Sequence, residues 1–106
     1  MKLSIVIPVY NESATICEVI KRVDAVTGEK EVIIVDDCST DGTRLLLEKY
    51  EKREGFEVIY QTKNRGKGAA LRAGFKIAKG EIVIIQDADL EYNPKDYPVL
   101  LEPILD

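Results

Sequence analysis

Four apolar runs organise the chain: Leu3 to Val9 (LSIVIPV), Glu31 to Asp36 (EVIIVD), Phe56 to Gln61 (FEVIYQ) and Glu81 to Gln86 (EIVIIQ). Each is rich in β-branched residues and nearly continuous, so each predicts a strand covered on both faces. Between them the period becomes helical. Ile16, Val19, Ile20 and Val23 recur at i, i+3, i+4 and i+7, as do Leu71, Gly74, Phe75 and Ala78, while Leu46, Lys49 and Tyr50 mark a shorter pattern. Asn11 or Ser13 is expected to cap the first helix and Thr40 or Asp41 the second, with Gly80 closing the third in a left-handed conformation. Beyond Asn93-Pro94, Val99, Leu100 and Ile104 make a loose helical pattern, with Pro98 in its first turn and Pro103 near its end.

Alternating strands and helices predict an α/β domain with an open, mainly parallel sheet flanked by helices, because right-handed crossovers lay helices over the sheet faces. The 106 residues suit one domain, and a chain of this size buries roughly 65% of its unfolded surface. No apolar run approaches the roughly 18 residues of a membrane span, and MKLSIVIPVY reads as a first strand because no small-residue cleavage site follows it.

Composition is ordinary for a globular domain, at 45% hydrophobic and 32% charged. The net charge of −4, with lysines mixed among acids, argues against nucleic acid as a partner. Cys17 and Cys38 stand without histidine or a CxxC pair, which excludes a zinc set. They read as small packing groups in a reduced, cytoplasmic compartment.

Ligands of an open parallel sheet sit beyond the carboxyl ends of its strands, where the strand order reverses. The unusual polar residues gather at those ends. Pro8, Tyr10, Asn11 and Glu12 follow the first strand, Asp36 and Asp37 the second, Asn64 to Gly68 the third, and Asp87 and Asp89 the fourth. Singly, each has a plain structural reading: a helix cap, a turn, a flexible glycine loop or a solvated acidic bend. Their convergence on one edge is the stronger signal. If the chain stays extended across Ala88, the Asp87 and Asp89 side chains point the same way, with Cα atoms about 7 Å apart. Two charges roughly 6 Å apart at an effective dielectric near 20 repel by about 3 kcal/mol, a cost that a divalent cation would reverse. Hard carboxylate oxygens favour Mg2+ or Mn2+, whose remaining positions are filled by water and phosphate, so a phosphorylated ligand is implied as well.

The first strand-to-helix turn, PVYNESAT, has no glycine and so lacks the GxGxxG of nicotinamide-binding domains. A receiver-like, non-catalytic interaction domain shares the length and the acidic pair, but its pair ends the first strand, not the second. A third reading is a fragment that keeps the fold without function and self-associates through a missing edge.

IVIPVYNE, VDDCSTDGT, NRGKGAALRAG and QDADLEYNP, in this order and spacing, resemble the family 2 glycosyltransferases of the GT-A fold. The dolichol-phosphate mannose synthase and polyprenyl-phosphate glycosyltransferase branch is the most similar, and the resemblance runs to about Leu105. It implies that Pro8, Tyr10 and Glu12 form the first nucleotide-contacting loop and that Asp37 reads the base. It sets Lys67 and Arg65 beside the base and diphosphate, Asp87 near ribose and metal, and Asp89 as metal ligand to the diphosphate. Glu91 is implied as a further ligand or an orienting acid. The implied activity is Mg2+- or Mn2+-dependent binding of a nucleoside-diphosphate sugar, GDP-mannose or UDP-glucose favoured, for inverting transfer to a polyprenyl phosphate at the inner membrane face. The family's acceptor pocket and catalytic base lie further along than residue 106, so residues 1–106 are expected to be the truncated, nucleotide-sugar-binding N-terminal part, incomplete for turnover.

Overall fold

The computed structural model of the chain describes residues 2–89. The expectations for Glu91, for Asn93-Pro94 and for the helical pattern of 95–106 lie outside them. The elements run β1 (Leu3–Val9), α1 (Ile16–Asp24), β2 (Lys30–Asp36), α2 (Thr43–Leu47) with a 3-10 turn (Glu48–Tyr50), β3 (Phe56–Tyr60), α3 (Lys67–Ile77) and β4 (Ile82–Ile85). The strands form one sheet in the order β3-β2-β1-β4, and every pairing is parallel. The predicted alternation and open parallel sheet are present.

The sheet separates two cores. On one face, Ile5, Ile7 and Val9 of β1 meet Ile16, Val19, Ile20 and Val23 of α1, with Leu47 and Tyr50 alongside. All four α1 positions picked out by periodicity are buried. On the other face, Val6, Ile33 and Val35 receive Ala70 of α3. Of the expected α3 stripe, Gly74 is buried and Leu71 and Ala78 pack against this core, but Phe75 is exposed and Ala70 is buried in its stead. Small residues rather than the largest one face the sheet, because a Cβ on Gly74 would lie 2.6 Å from Val6 Cγ1.

Continuous strand hydrophobicity overstates the coverage of β4. Ile82 and Ile84 are buried, but Val83 and Ile85 are exposed. They share a face with Ser4 and Val6 of β1, and α3 packs over β1 and β2 instead. Strand β1 is central and enclosed throughout.

The helix boundaries also differ from the expected caps. Asn11 does not cap α1; it sits at φ +51 and its side-chain oxygen accepts the Thr40 N–H at 2.7 Å. Thr15 is the N-cap residue, without a side-chain cap, and the Thr15 and Ile16 N–H groups are taken by the Glu12 carbonyl. Gly42 precedes α2, while Asp41 accepts the Thr43 N–H at 3.1 Å from one position further out. Gly80 has no left-handed role. A Cβ there would lie 2.6 Å from Ser4 Oγ and 2.7 Å from Ser4 N, so glycine is required by close backbone approach to β1. Cys17 packs against the larger core, as expected, but Cys38 sits at φ +63 with its Sγ–H directed at the Thr62 carbonyl, 3.7 Å away, so it is not a core packing group.

Candidate functional site

The strand order reverses between β1 and β4: β2 and β3 extend one way from β1, and α3 carries the chain back to β4 on its other side. At the carboxyl ends of these two strands lies a crevice of about 230 Å³ lined by Pro8, Val9, Tyr10, Glu12, Asp37, Lys67, Ala70, Asp87, Ala88 and Asp89. Seven of the sequence-selected residues therefore line one cavity: Pro8, Tyr10, Glu12, Asp37, Lys67, Asp87 and Asp89. Arg65 is exposed and is not among them. Glu91 lies outside the described residues.

Pro8 is the last residue but one of β1, the enclosed central strand, and the chain then emerges at Tyr10, which is 45% exposed at the crevice. The following loop is tied by hydrogen bonds to the loop after β2 and to the start of α2. Asn11 N–H donates to Ser39 Oγ at 2.9 Å and Thr40 N–H to Asn11 Oδ1 at 2.7 Å. Glu12 N–H donates to Thr43 Oγ1 at 3.2 Å and Ser13 N–H to Asp41 Oδ2 at 3.1 Å. The Thr43 hydroxyl and two backbone donors hold the Asp41 carboxyl down at about 2, so the latch is charged at ordinary pH.

The adjacent acids at the end of β2 point in opposite directions, as successive strand residues must. Asp36 turns under α2, fully buried, where its Oδ2 accepts Arg44 Nε–H at 2.6 Å and Ser39 N–H at 3.1 Å. The same guanidinium donates to the Gln61 carbonyl and lies over the Tyr60 ring, 5.3 Å from its centroid. Asp37 faces the crevice. Its two oxygens accept the Arg65 and Gly66 N–H groups, each at 2.9 Å, and so fix the turn that starts α3. That turn delivers Lys67, whose ammonium is ion-paired with Asp87 across the cavity.

Strand β4 ends at Ile85, and the chain turns at Ala88-Asp89 instead of staying extended, so the geometry assumed for the two aspartates is not the one adopted. The turn is held from both sides: Gln86 N–H donates to the Val6 carbonyl at 2.9 Å, and the Thr15 hydroxyl donates to the Ala88 carbonyl. Val9, Ala70 and Ala88 had no polar signature to mark them, and Thr15, though polar, was not singled out. Only the helical phase of Ala70 could have indicated its place.

Asp87 and Asp89 line the same crevice. No cluster of three or more His, Cys, Asp or Glu suited to a metal ion occurs among the described residues. This donor set fits a hard cation that keeps water and phosphate in most of its shell, and not one needing an all-protein cage. No helix among the described residues is long and apolar enough to cross a membrane.

The family model for Glycosyl transferase family 2 matches residues 4–106. The chain is 41% identical over 106 residues to the undecaprenyl-phosphate 4-deoxy-4-formamido-L-arabinose transferase of Pseudomonas aeruginosa strain LESB58, a match covering 94% of this chain and 31% of that protein. It is 38% identical to the dolichol-phosphate mannosyltransferase of Pyrococcus furiosus, over 98% of this chain and 30% of that one. The chain thus spans about a third of the length of these relatives. Its fold superposes with a TM-score of 0.73 on a mannosyltransferase from Pyrobaculum calidifontis in complex with GDP-Man and Mn2+, at 34% identity over 82% of this chain and 27% of that structure. The resemblance read from four motifs therefore holds over nearly the whole sequence, and the chain belongs to glycosyl transferase family 2.

Proposed function

We propose that this chain is the donor-binding part of an inverting glycosyltransferase, taking a nucleoside-diphosphate sugar together with Mg2+ or Mn2+ for transfer to a polyprenyl phosphate at the inner membrane face. The observation that carries this reading is the convergence of Tyr10, Glu12, Asp37, Lys67, Asp87 and Asp89 on one crevice at the reversal of strand order. The names of two relatives, both polyprenyl-type phosphate sugar transferases, support the acceptor class. The mannosyltransferase complex, with its GDP-Man and Mn2+, supports a nucleoside-diphosphate sugar donor and a divalent cation.

In this reading Tyr10 offers its exposed ring to the base and Pro8 shapes the wall beneath it. Asp37 meets the base while holding the turn that presents Lys67 to the diphosphate. Asp87 and Asp89 would hold the cation, which when bound would neutralise charge developing on the departing diphosphate. The acceptor oxygen would attack the anomeric carbon from the side opposite that leaving group, inverting the centre. The groups that receive and deprotonate the acceptor belong, in this proposal, beyond residue 106. Calorimetric titration of GDP and of UDP, with Mn2+ or with chelator, tests the donor site. Binding of at least one nucleotide should require Mn2+ and weaken about ten-fold or more in Asp89→Ala. Folded chain that binds neither nucleotide in Mn2+ sinks the proposal.

A further inference from the structure

Among the residues lining the crevice, four are carboxylates (Glu12, Asp37, Asp87 and Asp89) and one is a cation, Lys67. Asp37 accepts two backbone N–H groups. Lys67 crosses the cavity to Asp87, joining the first turn of α3 to the end of β4. The Asp87 side chain is only 20% exposed, whereas that of Lys67 is 57% exposed. The carboxylate is thus held in place by its surroundings, while the ammonium sits on a flexible stem with room to move.

Resting on the donor-site reading, we propose that Lys67 is an exchange cation: it neutralises Asp87 in the free chain and passes to the donor's diphosphate when a divalent cation takes over the carboxylates. The ion pair opposes either ligand arriving alone. A metal ion approaching Asp87 by itself must displace the ammonium and leave that charge beside a dication. A nucleoside diphosphate by itself brings anionic oxygens toward the crevice carboxylates and can recruit Lys67 only by uncovering Asp87. When both arrive, the metal ion meets the carboxylates, Lys67 meets phosphate oxygens, and every charge keeps a partner. Two sites coupled through one side chain must influence each other equally, so metal ion and nucleotide raise each other's affinity by the same factor. The crevice is thereby tuned to the metal–nucleotide complex instead of to either component.

The test uses the 106-residue chain, with Lys67→Met, which removes the charge and keeps the stem, and Lys67→Arg, which retains a cation able to pair with Asp87. Circular dichroism first confirms the native fold of each. Free Mn2+ is then followed by electron paramagnetic resonance without nucleotide. Lys67→Met should bind Mn2+ about five-fold more tightly than the unaltered chain, the scale set by a partly exposed ion pair, and Lys67→Arg should match the unaltered chain within about two-fold. GDP and UDP titrations with and without Mn2+ then give the coupling factor, which should fall in Lys67→Met. Mn2+ affinity that is unchanged or weaker in Lys67→Met, or an undiminished coupling factor, overturns the exchange while leaving the donor reading intact, provided the unaltered chain binds nucleotide. If the unaltered chain binds neither nucleotide in Mn2+, the donor reading fails, whatever the Mn2+ titration of Lys67→Met shows.

Discussion

Gly74→Ala offers a direct test of how α3 is seated on the sheet. In an exposed helix the change stabilises by about 1 kcal/mol, since alanine loses less backbone freedom than glycine. Here the added methyl would stand 2.6 Å from Val6 Cγ1 and 3.4 Å from both Val6 Cγ2 and Val35 Cγ2. Val6 and Val35 are fully buried on the strands beneath, so neither can swing aside into solvent. Overpacking of this kind costs about 1–3 kcal/mol. The propensity gain of about 1 kcal/mol offsets part of that, leaving a net loss of up to about 2 kcal/mol and a melting point lower by up to roughly 16 °C for a domain of this size. Val6→Ala removes both offending methyls at a cost of about 2 kcal/mol. In that background Gly74→Ala should become neutral or stabilising, so the cycle should show a coupling of at least about 1 kcal/mol. Urea unfolding followed by circular dichroism measures all four corners. A stabilising Gly74→Ala on the unaltered background, or equal effects on both backgrounds, would refute the close seating of α3. The functional consequence is carried at the helix N-terminus, because lifting α3 moves Lys67 away from Asp87.

Two other outcomes follow from the loops around the crevice. Arg44→Ala leaves the fully buried Asp36 without its counter-charge. Breaking a buried pair costs more than an exposed one, but the Arg44 side chain is 40% exposed, so a loss of about 2 kcal/mol in chemical unfolding is expected, partly recovered by adding Asp36→Asn. The depressed Asp41 carboxyl, about 2 when folded against an ordinary 3.8, gives a pH dependence with a defined sign. Its contribution is complete above about pH 4 and is lost as the pH falls towards 2, because the unfolded chain takes up the proton first. Asp41→Asn should flatten stability between pH 4 and 2. An unchanged acid profile would show that the loop latch is not charge-assisted.

The sequence made the strand-helix alternation and the α1 face readable because both rest on local periodicity. It also placed seven site residues at one sheet edge, since a parallel sheet leaves little choice about where strand ends point. Failures occurred where the outcome depended on distant neighbours. Phe75 looked like a core residue, but Val6 and Val35 leave room only for a small-residue face. Val83 and Ile85 have the composition of an enclosed strand, yet α3 covers β1 and β2, and β4 is left half open among the described residues. Gly80 signalled a helix terminus, whereas backbone approach to Ser4 is what requires it. Strand alternation sends Asp36 and Asp37 to opposite sides without naming which faces the crevice, so only the family resemblance singled out Asp37. The bonds joining Asn11, Glu12 and Ser13 to the loop after β2 cross from one βα unit to the next, and no local pattern announces them.

The order β3-β2-β1-β4 has one more consequence. Strands β1, β2 and β3 are joined to spatial neighbours through short crossovers, whereas β4 must return past β2 and pair with β1 from the far end of the described chain. That closure has the largest loop entropy to overcome and the least to gain, since β4 is short and covered on one face. Asp87 and Asp89 ride on it. A chain with β1 to β3 in place would already hold Tyr10, Glu12 and Asp37, but would lack the Asp87–Asp89 wall of the crevice until β4 arrives, so under the proposed function donor affinity and the completeness of the sheet rise and fall together.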